Sequence, residues 1–206
     1  MKRTVLSTDL FVSTGTVVGF VPPGSTSTIF SSVELVSSIN LKGDITGSYP
    51  DANNLVHGFL RHSNGTFVIF DVPGSTTTNA FSINDAGAIT GNYLAADGRY
   101  RGFLHDPEGN FTSFDPGFYT LSAGINEDGA IAGYYSNGGL PIPSVNVRGF
   151  VRSPQGTITT FDPNDVEPTL CPLLSGIGTT QVFPTSIREG VITGYCFGSQ
   201  GWVRHP

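Results

Sequence analysis

A repeated motif limits the folds open to this chain more than any other feature of its sequence. Full copies occupy residues 38–49, 82–93 and 124–135, and a copy one residue shorter occupies residues 186–196. Each full copy has an Ile-Asn pair, a turn that contains Gly, and a run of Ile, Gly and Tyr. Asn40 and Asn84 are 44 residues apart, and Asn84 and Asn126 are 42 residues apart. A near-constant spacing of this length is the signature of a protein built from structural repeats.

Two more apolar runs follow the motif within each unit. The first contains Gly-Phe followed by Leu or Val, and the second ends in Phe-Asp. These pairs occupy residues 57–61 and 65–71, 101–105 and 109–115, and 148–152 and 156–162. Their Ile, Val, Phe, Thr and Tyr residues favour β-strands, and the glycines between them favour tight turns. Because no segment has a sustained helical stripe of apolar residues, each unit reads as four short antiparallel strands, which is typical of a propeller blade.

The fold predicted from this pattern is all-β: a small β-propeller of four blades, each with about four antiparallel strands. It forms one domain over residues 1–206, with units at 37–80, 81–122 and 123–184 and a fourth made of 185–206 plus 10–26. Residues 10–26 resemble the run that begins at Phe59 and ends in Val72-Pro73-Gly74-Ser75-Thr76, with Pro23-Gly24-Ser25-Thr26 on Pro73-Gly74-Ser75-Thr76. We therefore expect this N-terminal segment to close the last blade, which removes exposed sheet edges. Phe11-Val12 and Trp202-Val203 both resemble a third strand, so one pair is surplus. An open solenoid, a sandwich and a larger ring completed by a second chain are the alternatives.

Composition and charge exclude several classes of protein. Hydrophobic residues make up 38% of the chain, which is more than a disordered chain carries. The net charge is −6, and only two of the basic residues are lysines, so no basic face for nucleic acid is expected. No apolar run is long enough to span a membrane. Asp9 interrupts the apolar region that would follow the basic start, so no signal peptide is predicted.

The run from Gly58 to Tyr93 resembles a known family. It contains Gly-Phe-Leu, Gly-Thr-Phe, Phe-Asp-Val-Pro-Gly-Ser-Thr and Ser-Ile-Asn-Asp-Ala-Gly-Ala-Ile-Thr-Gly-Asn-Tyr, and it is similar to the bacterial HAF-type extracellular repeats. The resemblance covers nearly the whole chain, through three full units and one split unit. It implies a propeller-like or β-rich secreted array, and it carries over no activity and no catalytic residue. Extracellular localisation rests on this resemblance alone.

Equivalent residues of the four motifs give the first candidate site. In a ring, Asn40, Asn84, Asn126 and Arg188 would converge near one axis. Three amides and one guanidinium there would suit a carboxylate, a phosphate or sugar hydroxyls. The asparagines could instead cap the turn that follows the innermost strand. Arg188 departs from the asparagine pattern and is therefore the stronger functional candidate.

Three insertions, at residues 28–36, 137–147 and 164–181, are candidate binding loops because they break the period. The third is apolar for a loop and could form a lid over the axial mouth with Tyr134, Tyr135, Tyr195 and Phe183. That arrangement would give a hydrophobic pocket with a few polar anchors. Cys171 in this insertion could pair with Cys196 and pin the insertion to the last blade, or both could be buried thiols.

Other polar positions recur without a catalytic pattern. His57, Arg101 and Arg148 precede the Gly-Phe pairs, and they could bind an acidic ligand or be solvated residues at a strand edge. Asp71, Asp115 and Asp162 follow Phe and read as turn initiators. The histidines lack metal-ligand spacing, and no nucleophile elbow or phosphate loop occurs. No metal and no cofactor are predicted.

Three functions are compatible with these features. The first is a binding module for a small polar molecule, a carbohydrate or a protein partner on the insertion-lined face. The second is a small lid-covered enzyme, such as a cyclase or isomerase, that acts on an apolar metabolite with Arg188 or Glu189 as its acid or base. The third is a structural repeat without a site. The sequence leaves open whether the protein is an enzyme, and it predicts a monomer or a small homo-oligomer.

Overall fold

The structure, a computed structural model, describes residues 19–25, 35–138, 147–162, 182–196 and 201–206. Within these residues all regular structure is β-strand, which confirms the predicted all-β class. The strands of the first two units are β1 Leu35–Ile39, β2 Ile45–Pro50, β3 Val56–Arg61, β4 Phe67–Phe70, β5 Thr78–Ile83, β6 Ile89–Leu94, β7 Tyr100–His105 and β8 Phe111–Phe114. Those of the third and fourth units are β9 Tyr119–Ile125, β10 Ile131–Ser136, β11 Val147–Arg152, β12 Ile158–Phe161, β13 Val182–Arg188, β14 Val191–Cys196 and β15 Gly201–Arg204.

Each repeat unit forms one antiparallel meander. Strands pair in chain order as β1-β2-β3-β4, β5-β6-β7-β8, β9-β10-β11-β12 and β13-β14-β15. A single parallel pair, Tyr100 with Tyr119, joins the second and third meanders into one eight-stranded sheet. Trp202-Val203 lies in β15 and takes the third-strand position beside β14. Its rival for that position, Phe11-Val12, lies outside the described residues.

The first turn of each unit sets the pairing of its first two strands. In the first three units this turn has a glycine with positive φ, for example Gly43 at 80° and Gly87 at 96°. The fourth unit has a shorter turn, in which Glu189 and Gly190 both have positive φ, at 50° and 78°. Two consecutive residues with positive φ make the tight hairpin connection that matches strand twist. The missing residue of the fourth motif is therefore a change of turn type and leaves the strand pairing intact.

Neighbouring meanders pack face to face in one repeated way. The first strand of each later unit lies against the second strand of the preceding unit, as β5 on β2, β9 on β6 and β13 on β10. The last Phe of each unit also packs edge-on against the third-strand aromatic residue of the next. Ring centroids are 6.3 Å apart for Phe70 and Phe103, and 5.9 Å apart for Phe114 and Phe150. We call each of these contacts between units a junction.

A basic side chain also packs on each junction phenylalanine. His105 stacks on Phe70 at 4.7 Å, and the Arg152 guanidinium lies 5.4 Å from the centroid of the Phe114 ring. At the third junction, Phe161 packs against Trp202 at 5.8 Å and lies under Arg204 at 4.8 Å. Where this side chain is an arginine, at Phe114 and Phe161, cation–π contact adds to the apolar burial.

Phe20 forms the same contact on the first unit. Its ring lies 6.3 Å from that of Phe59, edge-on, and the Arg61 guanidinium lies 4.8 Å from its centroid. Phe20 therefore takes, on the first unit, the place that Phe70 takes on the second. This contact shows which position of the repeat the N-terminal segment represents.

The predicted union of this segment with the last blade is not formed between the described residues. The last Phe of a unit lies over a third-strand Gly of its own sheet, as Phe70 does over Gly58 and Phe161 over Gly149. A Cβ built at the equivalent Gly201 would meet only a backbone oxygen, 3.8 Å away. Phe20 therefore does not cover Gly201, and the described residues form no closed barrel or propeller.

The place where the ring would close is an open seam, which we define as β1 on one side and β14 with β15 on the other. Val36 of β1 is 54% exposed, whereas Ala80 at the same position of β5 is fully buried. Ile39 is 56% exposed, whereas Ile83 is 5% exposed. Tyr195 of β14 is 49% exposed. Since no strand of the described chain packs on these faces as at the three junctions, their apolar side chains remain in contact with solvent.

Two further findings concern the whole described chain. Cys196 is disulfide-bonded, and the one other cysteine of the sequence, Cys171, lies outside the described residues. In the parts of the chain that the structure describes, no helix has the length and hydropathy needed to cross a bilayer.

The junction aromatics predict a large loss of stability on truncation. Phe103 is fully buried and packs against Phe70 and Phe111, so Phe103→Ala should lower the free energy of unfolding by about 3–5 kcal/mol. The matched control is Phe118→Ala, because Phe118 is 42% exposed, and it should change stability by less than about 1 kcal/mol. Urea denaturation measures both, and equal losses would contradict the packing described.

His105 predicts a loss of stability in acid. Burial lowers the pKa of His105, and the charge of Asp106 opposes this shift. Its Nδ1 is buried with no hydrogen-bond partner among the described residues. The imidazole of the unfolded chain titrates at about pH 6.5. The stability that the neutral, buried His105 contributes is therefore fully present above that pH. It is lost as the pH falls from there through the lower pKa of the folded state.

Thermal melts between pH 8 and pH 5 test this dependence. His105→Gln should flatten the dependence of Tm on pH in that window, and His205→Gln, at an exposed position, should leave it unchanged. An equally steep profile in the His105 variant would show that other groups cause the acid sensitivity.

Candidate functional site

The first turns of all four units line one cavity of about 580 Å³. Its lining includes the residue before the motif Asn in the first three units, namely Ile39, Ile83 and Ile125, and the equivalent Ile187 before Arg188 in the fourth. Charged side chains from three of the units complete the lining: Asp85, Glu127, Asp128, Arg188 and Glu189. We call this cavity the mouth. It has an isoleucine floor and a charged rim, and equivalent positions of different units meet in it.

The side-chain oxygens of the motif asparagines hold their own turns. Oδ1 of Asn40 accepts hydrogen bonds from the backbone N–H groups of Lys42 and Asp44, both at 3.0 Å. Oδ1 of Asn84 accepts from Ala88 N–H at 2.9 Å. Oδ1 of Asn126 accepts from Ala130 N–H at 2.8 Å. These are the hydrogen bonds of the turn-capping alternative.

Their side-chain nitrogens connect one unit to the next. Nδ2 of Asn40 donates to the backbone oxygen of Asn84 at 3.1 Å, and Nδ2 of Asn84 donates to the backbone oxygen of Asn126 at 3.0 Å. The three asparagines are buried. Asn40 and Asn84 therefore have both ends of their amides in use, so they act as parts of the scaffold and leave little for a ligand.

Carboxylates make a second link between the units around the rim. The N–H of Leu41 donates to Oδ1 of Asp85 at 2.7 Å, and the N–H of Asp85 donates to Oε2 of Glu127 at 2.9 Å. Each of these carboxylates still has an oxygen available for another donor. The residue that follows the motif Asn is thus an acceptor for the preceding unit, a role that the sequence analysis missed.

The charge of the mouth is mainly negative. Four carboxylates line it, whereas Arg188 is the one basic residue of the lining. Arg188 is exposed at the end of β13 and forms no ion pair with another described residue. Glu189 follows it in the tight turn. A rim in which carboxylates predominate attracts cations, whereas the amide mouth expected from the sequence would favour anions.

The structure does not bring the predicted tyrosines to the mouth. Tyr134 and Tyr135 lie at the far end of β10 from Ile131, and Tyr195 lies at the far end of β14. Since a strand rises about 3.3 Å per residue, Tyr135 is roughly 13 Å along its strand from the turn end. The two parts of the predicted site therefore lie at opposite ends of the strands. The apolar insertion expected as a lid lies outside the described residues.

The tyrosines instead form an aromatic row at the third junction and the seam. Tyr134 packs edge-on against Phe183 at 5.0 Å, and Phe183 stacks with Tyr195 at 5.1 Å. Burial raises the pKa of Tyr134, and Tyr119 and Tyr195 raise it further. Tyr135 is buried in the core of the third unit. Their main role in the structure is packing.

In the first two units the basic residue before the Gly-Phe pair contacts carboxylates of its own unit. Arg101 contacts Asp97 at 2.6 Å and Asp115 at 3.1 Å. His57 contacts Asp71 through Nδ1 at 2.8 Å and Asp51 through Nε2 at 3.6 Å. In these two units the basic residue thus connects the loop after the second strand to the end of the fourth strand. Its constant spacing of 14 residues from the strand-end Asp is the sequence signal for this pair.

Comparison with known proteins does not add a precedent for this site. No family model matches the chain, and neither a curated protein nor a solved structure matches it. Across the described residues, no group of three or more His, Cys, Asp or Glu side chains is placed to hold a metal ion.

The two roles of the motif asparagine can be separated by substitution. Asn84→Asp keeps the oxygen that accepts from Ala88 and removes the N–H that donates to Asn126. Asn84→Ala removes both groups and leaves buried backbone partners without hydrogen bonds, which costs about 1–3 kcal/mol for each such group. We expect both variants to be less stable than the parent in urea denaturation. Asn84→Asp should lose more stability as the pH rises, because its ionised carboxylate would be buried against the backbone oxygen of Asn126. Equal stability of Asn84→Ala and the parent would contradict the link between units.

Proposed function

We propose that this protein is a ligand-binding β-propeller module, and that its mouth binds a small ligand with a cationic head group and a short apolar part. The observation that carries this proposal is the mouth itself, an isoleucine floor under a rim of carboxylates contributed by successive units. The apolar floor would take the hydrocarbon part of the ligand, and the rim would take its charge. The sequence suggests a small polar molecule, and a carboxylate or phosphate for the amide mouth. The ligand proposed here is also small and polar, but it is positively charged.

Three junctions of the same construction support a four-bladed ring. Phe20 makes the equivalent contact on the first unit, so the N-terminal segment is the natural source of the strand that β13–β15 lack. In this ring that segment pairs beside β15, and Phe20 covers Gly201 as Phe70 covers Gly58. Membership of the HAF-type repeat family and a secreted location agree with the repeat motifs and are part of the proposal.

Repetition favours binding over catalysis. The mouth takes an isoleucine from every unit and carboxylates from three, which suits contact around a ligand. Acid–base catalysis needs one positioned donor and one positioned acceptor with different roles. The candidate catalytic residues are Arg188 and Glu189. Arg188 replaces the asparagine found at Asn40, Asn84 and Asn126, and in this proposal it makes the charge of the rim less negative.

Three probes with the same hydrocarbon chain test the charge preference. Isothermal titration calorimetry at low salt should show binding of hexylammonium, weaker binding of hexanol and none of hexanoate. Affinity for hexylammonium should fall as salt is raised, since ions screen exposed charges. Equal binding of all three probes, or preference for hexanoate, would overturn the proposed ligand class.

Variants of the rim test the location of the site. Asp128→Asn combined with Glu189→Gln should weaken hexylammonium binding by about two- to tenfold, because an exposed ion pair contributes roughly 0.2–1 kcal/mol. The matched control is Glu108→Gln, an exposed acidic residue outside the mouth, and it should leave the affinity unchanged. The same loss in the control and the double variant would place binding elsewhere.

A further inference from the structure

The mouth straddles the seam. Ile39, Asn40 and Leu41 line it from the first unit, and Ile187, Arg188 and Glu189 line it from the fourth. Strands β1 and β14 lead away from these two turns. They do not pack on each other as β5 packs on β2 or β9 on β6. A ligand in the mouth would therefore touch two units whose junction is not packed.

The two faces of the seam correspond in position to the two strands that meet at a packed junction. The β1 face corresponds to β5, and the β14 face corresponds to β2. Val36 and Ile39 of β1 occupy the positions of Ala80 and Ile83 of β5, which are buried at the junction where β5 packs on the first unit. On the other side, Tyr195 occupies the position of Ser48, which is buried and accepts a hydrogen bond from the N–H of Ala80 at 2.8 Å. The partner that the β14 face fits is therefore a first strand of a unit.

We infer that β1 of the same chain docks on the β14 face when the mouth is occupied, so that ligand binding and closure of the seam are coupled. The same chain is the source of the strand because its first and fourth units already share one mouth, and because Phe20 already lies on the first unit. This inference rests on the proposed function. A ligand that contacts both units only in the closed arrangement favours that arrangement by its difference in affinity for the two states.

Coupling makes remote residues of the seam important for affinity. Val36 and Tyr195 do not line the mouth, so replacing them with serine leaves the ligand contacts in place and removes apolar surface from the closed junction. If a variant makes the closed state about tenfold rarer, the apparent affinity falls by up to about tenfold. Val68→Ser is the matched control, because Val68 is exposed on β4 away from the seam.

The experiment combines calorimetry with amide hydrogen exchange on the full chain, using hexylammonium as the probe. We expect the probe to slow exchange at residues 36–39 and 193–195 and to leave β6 unchanged. We expect Val36→Ser and Tyr195→Ser to bind the probe at least about threefold more weakly than Val68→Ser. Far-UV circular dichroism of each variant shows that the strands are retained.

The outcomes separate this inference from the proposed function. If the probe binds but exchange at β1 and β14 does not change, and the seam variants bind as well as the control, then the coupling is wrong and the binding function stands. If calorimetry detects no binding, both fall. If the probe produces dimers in sedimentation velocity together with protection of the seam, then a second copy covers the β14 face, and closure within one chain is overturned.

Discussion

The rest of the structure depends on one side chain, the buried asparagine that follows the first strand of a unit. Its oxygen closes the turn within its own unit, and its nitrogen bonds to the backbone of the next unit. Local turn geometry and the spacing between units are therefore set by the same amide group. Because both bonds are buried, an error at either end leaves an unpaired polar group inside the protein. This dual constraint places successive isoleucines side by side and so creates the floor of the mouth.

Much of the fold could be predicted from the sequence because its determinants are local. The Gly-containing turns and the runs of Ile, Val, Phe and Thr gave the strands and their order, and these interactions span few residues. The seam could not be predicted, because Ile39 and Ile83 look alike in the motif and differ only in what packs on them. The position of the tyrosines, at the ends of their strands away from the turns, was likewise not predicted from the sequence. The prediction therefore placed Tyr134 and Arg188 in one site, although the tyrosines lie at the ends of β10 and β14 that are away from the turns.

The candidate site was predicted in part. Repeat spacing drew attention to the turns around Asn40, Asn84 and Arg188, and all of these turns line or support the mouth. The chemistry inferred for them was different, because a sequence does not show whether an amide is already bonded. With the amides engaged, the neighbouring carboxylates become the groups that face a ligand. Asp85 and Glu127 are turn residues whose side chains reach across to the adjacent unit.

Trp202 gives the molecule a built-in optical reporter. It is the single tryptophan of the chain, it is buried, and it packs against Phe161 at the junction of the third and fourth units. Intrinsic tryptophan fluorescence therefore observes the environment of this one contact, whereas the peptide absorbance of all four units contributes to circular dichroism. A protein whose last unit detaches before the others melt would show two separate transitions by these two spectroscopies, and a fully cooperative one would show a single shared transition.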